Sequence, residues 1–491
     1  MPRAARRLAL LCVAAAAAAA VDAAEPGTLL GAAKHGTAAD VRAVLAAKAD
    51  PNEADADGTT ALHWAVHRGE LSLAQALLAA GAKADAANRY GVRPLYLAAE
   101  NGDAAMTKAL LAAGADARAV FAEGETLLMT AARTGDVPTV QTLLAAGADP
   151  NATEQRGGQT ALMLAAAENN GPAIAALLAG GAERDKREAT GDLTALAFAV
   201  RTGSVVAARA LLDAGADPNA TLRDGTSMLL LAAINQNYEV ASALLDHGAD
   251  PNAAQGGFTA LHQIALVRRW TRGFNLPGPE HHDQLGSLDL ARQLVAHGAD
   301  VNMRQTAEPR DDLGNPRGKN GSTPFLLATK AVDLPYMRTL LDLGADPKIT
   351  TDDGTTAVML AAGTSQGMGS GGAAPGTLEE VLAALELTLE LGGGTVNDTN
   401  SKNETPLHGA MYRGGATELL DFLVSHGAKL EPVVNSRGWT PLRIADGVAL
   451  DGVAFIRYPE AADHLRELMR TRGLPVPPVE WDGPGGKTAA K

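Results

Sequence analysis

The amino-acid sequence predicts an all-α-dominated repeat solenoid, in which about twelve helix-turn-helix units, each with a β-hairpin or loop, stack in chain order. One observation is a leucine pair followed by Gly-Ala, which recurs from Leu77 to Ala249 with glycine-to-glycine steps of 33 or 34 residues. Another is a Thr-Ala-Leu or Thr-Pro-Leu motif, as at Thr60, Thr160 and Thr405. Hydrophobic residues make up 46% of the chain but aromatic residues only 3%, so the core must consist of closely packed Leu, Ala and Val.

The first helix of each unit is predicted from its threonine and its alanines. A threonine at the helix start can accept hydrogen bonds from the unpaired N–H groups of the first turn, and a proline directly after it fits that turn. Alanines follow, as at Ala65, Ala131 and Ala132. Because alanine is small, neighbouring first helices are expected to approach each other closely.

The second helix and the turn after it are predicted from the leucine pair and the residues that follow. The leucines supply an apolar face toward the next unit. Gly81 and its equivalents fall where the helix should end, since a left-handed residue there satisfies the last carbonyl groups. Asp-Pro-Asn then follows at residues 149–151, 217–219 and 250–252, which is typical of a turn that leads into a projecting hairpin.

The regular spacing ends after Gly248, where the glycine steps become 50, 46, 48 and 35. Three insertions account for this change: residues 268–287 and 365–377 separate the two helices of a unit, and residues 303–319 lengthen a hairpin. We therefore predict a signal peptide at 1–23, regular repeats at 24–256, repeats with insertions at 257–473 and a disordered tail at 474–491.

These motifs resemble the ankyrin-repeat family. The match is carried by residues 59–82, which include Thr60-Ala61-Leu62-His63, and by Gly-Trp-Thr-Pro-Leu at 438–442. It extends from near Gly27 to near Gly473, and the insertions resemble those of a group of exported bacterial ankyrin proteins. The resemblance implies stacked helix pairs and protein binding. It also implies a structural role for His63, His262 and His408, whose imidazoles would bond to backbone between units.

The N-terminal segment has the pattern of a secretory signal. Arg3, Arg6 and Arg7 precede an apolar stretch at residues 8–20, and small residues near Ala23 suit cleavage. The apolar stretch is short for a membrane span. We expect an exported bacterial protein, periplasmic or extracellular, with no membrane insertion after cleavage. The alternative is an uncleaved alanine-rich start on a cytoplasmic protein.

Composition excludes several function classes. The net charge of −14 and the scarcity of aromatic residues make nucleic acid a poor partner. The single cysteine, Cys12, lies in the predicted signal, so the mature chain would have no disulfide and no thiolate metal site. We expect no cofactor.

Two motifs raise the alternative of an enzyme. Residues 363–367 match G-x-S-x-G around Ser365, but a nucleophile elbow follows a strand, whereas a helix is predicted here. His281 and His282 stand beside Glu280 and Asp283, which could bind zinc. We interpret both segments, and the glycine-rich stretch at 367–372, as loops.

Function is therefore expected on the face that ankyrin proteins generally use, which combines hairpin tips with the ends of the first helices in a concave groove. Arg recurs there, and Arg, Tyr and Trp are frequent in interface hot spots. The 268–287 insertion adds Trp270, which either contacts a partner or fixes the loop on its own repeats. The candidate binding residues are Arg89, Tyr90, Arg133, Arg156, Arg201, Arg223, Trp270, Tyr412 and Arg413.

The sequence thus predicts an exported, non-enzymatic scaffold, monomeric, that binds a protein partner with an acidic surface. One alternative is a hydrolase or metal-dependent enzyme that uses an inserted loop. Another is a self-assembling structural protein of the envelope. A third interpretation of the charged side chains is that they only keep an exposed face soluble.

Overall fold

The computed structural model describes residues 28–254, 257–269, 283–306, 320–364, 376–450 and 454–480. These residues form twenty-four α-helices in twelve consecutive pairs, together with one two-stranded antiparallel sheet. The predicted all-α repeat array is confirmed. The chain divides after Ala216 into two compact units, which are described separately.

Unit 1 contains six helix pairs. Their bounds are α1 (Leu29–His35), α2 (Ala38–Ala46), α3 (Ala61–His67), α4 (Leu71–Ala79), α5 (Pro94–Glu100), α6 (Ala104–Ala112), α7 (Leu127–Thr134), α8 (Val137–Ala145), α9 (Ala161–Ala167), α10 (Gly171–Ala179), α11 (Ala195–Thr202) and α12 (Val205–Asp213).

Unit 2 contains the other six pairs and the sheet. Their bounds are α13 (Met228–Ile234), α14 (Tyr238–Asp246), α15 (Ala260–Arg268), α16 (Ser287–Ala296), α17 (Pro324–Lys330), α18 (Leu334–Asp342), α19 (Ala357–Ala362), α20 (Leu378–Glu390), α21 (Pro406–Tyr412), α22 (Thr417–Ser425), α23 (Pro441–Asp446), β1 (Val448–Leu450), β2 (Ala454–Ile456) and α24 (Pro459–Thr471). Val448 pairs with Ile456 in the antiparallel register.

Within each unit the helices form two layers. Each odd-numbered helix, the first of its pair, packs on the next odd-numbered helix, and the even-numbered helices pack on one another in the same way. Alanine and leucine fill the space between them: Ala65, Ala98 and Ala131 of the first layer and Leu77 and Leu110 of the second are fully buried. None of the helices in the described ranges is long and apolar enough to cross a bilayer.

The starts of the first helices confirm the predicted caps. Oγ1 of Thr126 accepts a hydrogen bond from Met129 N at 3.2 Å. Where histidine replaces methionine, Nδ1 of His63 accepts from Thr60 N at 3.1 Å, and Nε2 donates to the carbonyl of Val92 in the following hairpin at 3.1 Å. The predicted structural role of this histidine is thereby confirmed.

The asparagine of the Asp-Pro-Asn turn connects neighbouring repeats. Nδ2 of Asn151 donates to Gly181 O at 3.0 Å, while its Oδ1 accepts from Glu183 N at 2.7 Å. The same pair of bonds is made by Asn52, Asn219, Asn252, Asn302 and Asn397. This side chain therefore satisfies a carbonyl at the end of the next second helix, while the aspartate of the turn accepts from its backbone N–H.

Replacing Asn151 by alanine is expected to lower the free energy of unfolding by about 1–2 kcal/mol, because two exposed hydrogen bonds between repeats are lost. Urea denaturation of the variant and of a Gln155→Ala control measures the difference. Gln155 lies in the same hairpin, and its side chain makes no hydrogen bond among the described residues. Equal stability of the two variants would contradict the bridging role.

Much of each predicted insertion lies outside the described residues. Helix α15 ends at Arg268 and α16 begins at Ser287, while α19 ends at Ala362 and α20 begins at Leu378. The residues that flank two of these segments are ion-paired with each other: both Nη atoms of Arg269 donate to the carboxylate of Glu380. Arg269 and Glu380, which flank two different insertions, are therefore neighbours in unit 2, although the whole α17–α18 pair lies between them in the sequence.

The C-terminal end of unit 2 is organised by a buried ion pair. Arg466 of α24 donates to Asp446 of α23 at 2.6 Å, and both side chains are less than a tenth exposed. Residues 474–480, the first part of the predicted tail, are held against this pair, because Glu480 N donates to Asp446 Oδ2 at 3.2 Å and its carboxylate lies 3.3 Å from Arg443 Nε. Sequence analysis did not predict this placement.

Candidate protein-interaction face

The candidate site in unit 1 lies on the first-helix face, which we define as the side of α3, α5, α7, α9 and α11 that is turned away from the even-numbered helices. Trp64, Leu97 and Thr130 occupy equivalent positions on α3, α5 and α7 and form one row across it. His67, Glu100 and Arg133 form a second row, at the ends of the same helices. Trp64 and Leu97 are partly exposed, whereas Thr130 is buried.

Arg133 is ion-paired within its own repeat. Its Nη1 lies 2.8 Å from Oε1 of Glu125, at the base of the preceding hairpin, and both side chains are about a quarter exposed. Oγ1 of Thr130 donates to the same carboxylate oxygen at 3.4 Å. The charge of this predicted binding residue is therefore largely balanced by the chain itself.

Glu100 stands next to Arg133 but is not paired with it. Among the described residues, no donor lies within hydrogen-bonding distance of its carboxylate, which is half-buried. Burial raises the pKa of Glu100 and the nearby Glu125 adds to this, while His67 and Arg133 act in the opposite direction. The second row therefore has at its middle a half-buried carboxylate that forms no hydrogen bond with the described residues.

Charge pairing also occurs at the hairpin tips. Arg156 donates to Glu123 of the preceding tip at 2.6 Å, and Gln155 N donates to Glu123 O at 2.6 Å. Both charged side chains are more than half exposed, so this pair contributes little to stability and can exchange partners.

Two predicted binding residues form an exposed pair at another tip. The guanidinium of Arg89 lies 4.7 Å from the centre of the Tyr90 ring and donates to its hydroxyl oxygen. Tyr90 is 48% exposed. The backbone N–H of Arg89 donates to Asp57 O at 2.8 Å, which fixes this tip on the preceding one. Tyr90 therefore presents an aromatic ring to solvent from a tip whose backbone is fixed.

The other predicted residues lie in different surroundings. Arg201, exposed at the end of α11, lies 4.9 Å above the Phe198 ring, and Arg223 is exposed on the first hairpin of unit 2. Tyr412 is part of a network: its hydroxyl donates to Glu404 at 2.8 Å and accepts from Asn435 at 3.2 Å. Burial raises the pKa of Tyr412.

Arg413 lies deeper than the predicted surface site implied. Its side chain packs against Gly363, and burial lowers the pKa of its guanidinium to about 10. A side chain in this position contributes to the packing of α21 on α19. Arg413 is therefore the weakest of the predicted contact residues.

The base of the 268–287 insertion uses its arginines internally. Arg268 donates to both carboxylate oxygens of Asp333, at 2.7 and 3.1 Å, and Asp333 also caps α18 through Tyr336 N at 3.2 Å. The ion pair with Arg269, together with Thr377 N, lowers the pKa of Glu380 to about 2. Trp270 lies outside the described residues.

The residues on which the enzyme alternatives depend are not among the described residues. His281, His282 and Ser365 lie outside them, as does the glycine-rich stretch. Within the described ranges, no group of three or more His, Cys, Asp or Glu side chains is arranged to hold a metal ion.

Sequence analysis missed the apolar part of the face. Tyr96 of α5 packs against Phe121 of the next hairpin with ring centroids 4.3 Å apart, and Leu97 lies beside them on the same helix. The sequence does contain a signal for this apolar surface. It is the fourth residue of each first helix, directly after the position held by His63, Met129 or Met163. That position carries Trp64, Leu97, Leu164 and Phe198, interrupted by Thr130 on α7.

Comparison with known proteins identifies repeats in the N-terminal half of the chain. A family model of ankyrin repeats in three copies matches residues 29–121 and 128–222, and a model of the single ankyrin repeat matches residues 224–255. No curated protein matches the chain.

Proposed function

Because the chain is an ankyrin-repeat protein, with matched repeats over residues 29–255, we propose that it is an exported, non-enzymatic scaffold that binds a protein partner. Ankyrin repeats typically mediate protein–protein binding, and their family is usually non-catalytic. The observation that supports the proposal most is the first-helix face of unit 1, where partly exposed Trp64 and Leu97 lie beside charged side chains. Aromatic anchors next to a polar rim are the usual composition of a protein interface.

The proposed contact residues are Tyr90 and Arg89 at one hairpin tip and Arg201 at the end of α11. Arg89 and Tyr90 lie against each other and are both exposed, so the pair offers a cation and an aromatic ring to a partner. Arg133 and Arg156 join the proposed surface together with Glu125 and Glu123, which gives the face alternating charge in place of a purely basic stripe.

Combining Tyr90→Ser with Arg201→Glu is expected to reduce partner capture about tenfold or more, since each removes an exposed interface side chain. The purified chain serves as bait in an envelope extract, and captured proteins are quantified by mass spectrometry. Arg209→Glu on α12 is the matched control, because Arg209 is exposed in the even-numbered layer.

Equal capture by the native chain and the double variant would contradict the proposed surface. Export is checked on the same bait when it is isolated from its own cells. A mature N-terminus near Ala24 supports export, and a chain that retains Arg3, Arg6 and Arg7 contradicts it.

A further inference from the structure

The second row of unit 1 places one carboxylate where the chain supplies no partner among the described residues. Neither neighbour of Glu100 in this row forms a hydrogen bond with it. Arg133 is ion-paired with Glu125 at 2.8 Å, and His67 is exposed at the end of α3. Elsewhere on unit 1, carboxylates of similar exposure are paired, as Asp55 is with Lys34 at 3.1 Å. Glu100 thus retains unused hydrogen-bonding capacity in a half-buried position, where an unpaired charge is costly.

The charge around Glu100 is complementary to a cation. Glu100, Glu125 and Arg133 together carry one net negative charge at neutral pH when the imidazole of His67 is uncharged. An anionic group on a ligand would have to displace Glu125 from Arg133 and would meet Glu100 as well. A Lys or Arg side chain, in contrast, meets an available acceptor. The raised pKa of Glu100 agrees with a carboxylate that gains free energy when a cation arrives.

Glu100 also has apolar neighbours on the first-helix face, beside the charged ones. Leu97 lies one turn before it on α5 and is partly exposed, as is Trp64 on α3. Tyr96, four residues before Glu100, packs on Phe121 of the next hairpin. An apolar side chain next to the cation would cover these groups and remove water from the ion pair, which strengthens it.

The dimensions suit a short extended segment. Neighbouring packed helices lie about 8–10 Å apart, so α3 to α7 span about 16–20 Å. An extended chain rises about 3.3–3.6 Å per residue, so about five or six residues cross the three helices.

We propose that the first-helix face over α3, α5 and α7 binds a peptide segment of a partner in which a Lys or Arg side chain pairs with Glu100 and an adjacent large apolar residue packs on Leu97 and Trp64. This inference rests on the proposed scaffold function and adds the chemistry of the partner. It replaces the acidic partner expected from the recurring arginines, because the arginine of this row is already paired.

The test selects short random peptides displayed on phage against the purified chain. We expect enrichment of sequences in which Lys or Arg stands beside Leu, Ile or Phe. The enriched peptide should bind Glu100→Gln about tenfold or more weakly, since a charge-assisted hydrogen bond is lost. Glu168→Gln is the matched control, since Glu168 lies directly after α9, outside the three helices of the proposed site, and should bind as the native chain does.

Glu100→Gln also has a readout that a structural role would not produce. Removing an unpaired half-buried charge should leave the variant as stable as the native chain or more stable, while binding falls. Enrichment of acidic peptides, or equal affinity for the native chain and Glu100→Gln, would overturn the inference. If no peptide is enriched but a partner is still captured through Tyr90 and Arg201, the inference fails and the scaffold function stands. If neither binds, both fail.

Discussion

Replacing Asp446 by alanine is expected to destabilise the last helix pair of unit 2 by about 3–5 kcal/mol. The substitution leaves the guanidinium of Arg466 buried without its counter-charge, and such a charge is expensive in an apolar environment. Arg466 is only 7% exposed, so its side chain cannot reach water without moving α24 away from α23. The substitution also removes the acceptor that holds Glu480 N and the end of the described chain.

The effect should be local, because repeat arrays are stabilised by contacts between neighbouring pairs. Hydrogen exchange of the amides in α24 is the suitable measurement, and we expect it to be faster by roughly two to four orders of magnitude. Amides of unit 1 should be unaffected.

Two matched variants separate the buried charge from a general loss of packing. Glu467→Ala removes a similar ion pair with Arg470 in the same helix, where both side chains are more than half exposed, and should cost less than about 1 kcal/mol. Replacing Asp446 by Leu together with Arg466 by Met should recover most of the loss, since no charge remains buried. A double variant as unstable as Asp446→Ala would refute this explanation.

Stability of unit 2 is expected to fall by about 3 kcal/mol between about pH 6.5 and pH 4 through His262 alone. Burial lowers the pKa of His262 to about 4, from an ordinary value of 6.5. The neutral ring accepts from Thr259 N at 3.2 Å and donates to Ser322 O at 3.2 Å, so a proton on Nδ1 removes an acceptor in a buried site. The stabilisation is complete above the ordinary pKa and is lost progressively as pH falls toward the folded value, because the unfolded chain then binds the proton first.

An NMR titration of the imidazole measures the pKa directly, and urea unfolding across the same pH range measures its effect on stability. Burial also lowers the pKa of His63 and His408, so the same sign is expected for each. His262→Gln should flatten the pH dependence of unit 2 in this window. A His262 resonance that titrates at or above its ordinary pKa would contradict the prediction.

Sequence analysis recovered the helix pairs because their signals are local. Thr60 caps a helix whose first residue follows it directly, and its hydrogen-bonded partner His63 is three positions away. Gly81 ends the turn after the second helix with a φ of +94°, as its place after the leucine pair predicts. Such signals depend on backbone geometry within one turn. They can therefore be recognised in the sequence without knowing which helices pack next to that turn.

The charged residues of the candidate face could not be placed in the same way. Sequence spacing put Arg133 and Arg156 on the exposed surface, but not their ion pairs with Glu125 and Glu123. A long side chain reaches acids both in its own repeat and in the next, and its choice depends on distances that only the packed helices define. Nothing in the sequence distinguishes Glu100 from the other charged residues at the ends of first helices, because its lack of a hydrogen-bonding partner is visible only after the helices have packed.

The sequence by itself thus determined the repeat, its caps, its turns and its structural histidines. The tertiary structure decided which charges are used internally, from Arg269 with Glu380 to Asp446 with Arg466, and which carboxylate is left for a ligand. The physical reason is the range of each interaction. Helix caps and turns are satisfied within a few residues of the chain, whereas burial and ion pairing depend on side chains that meet only after neighbouring helices have packed.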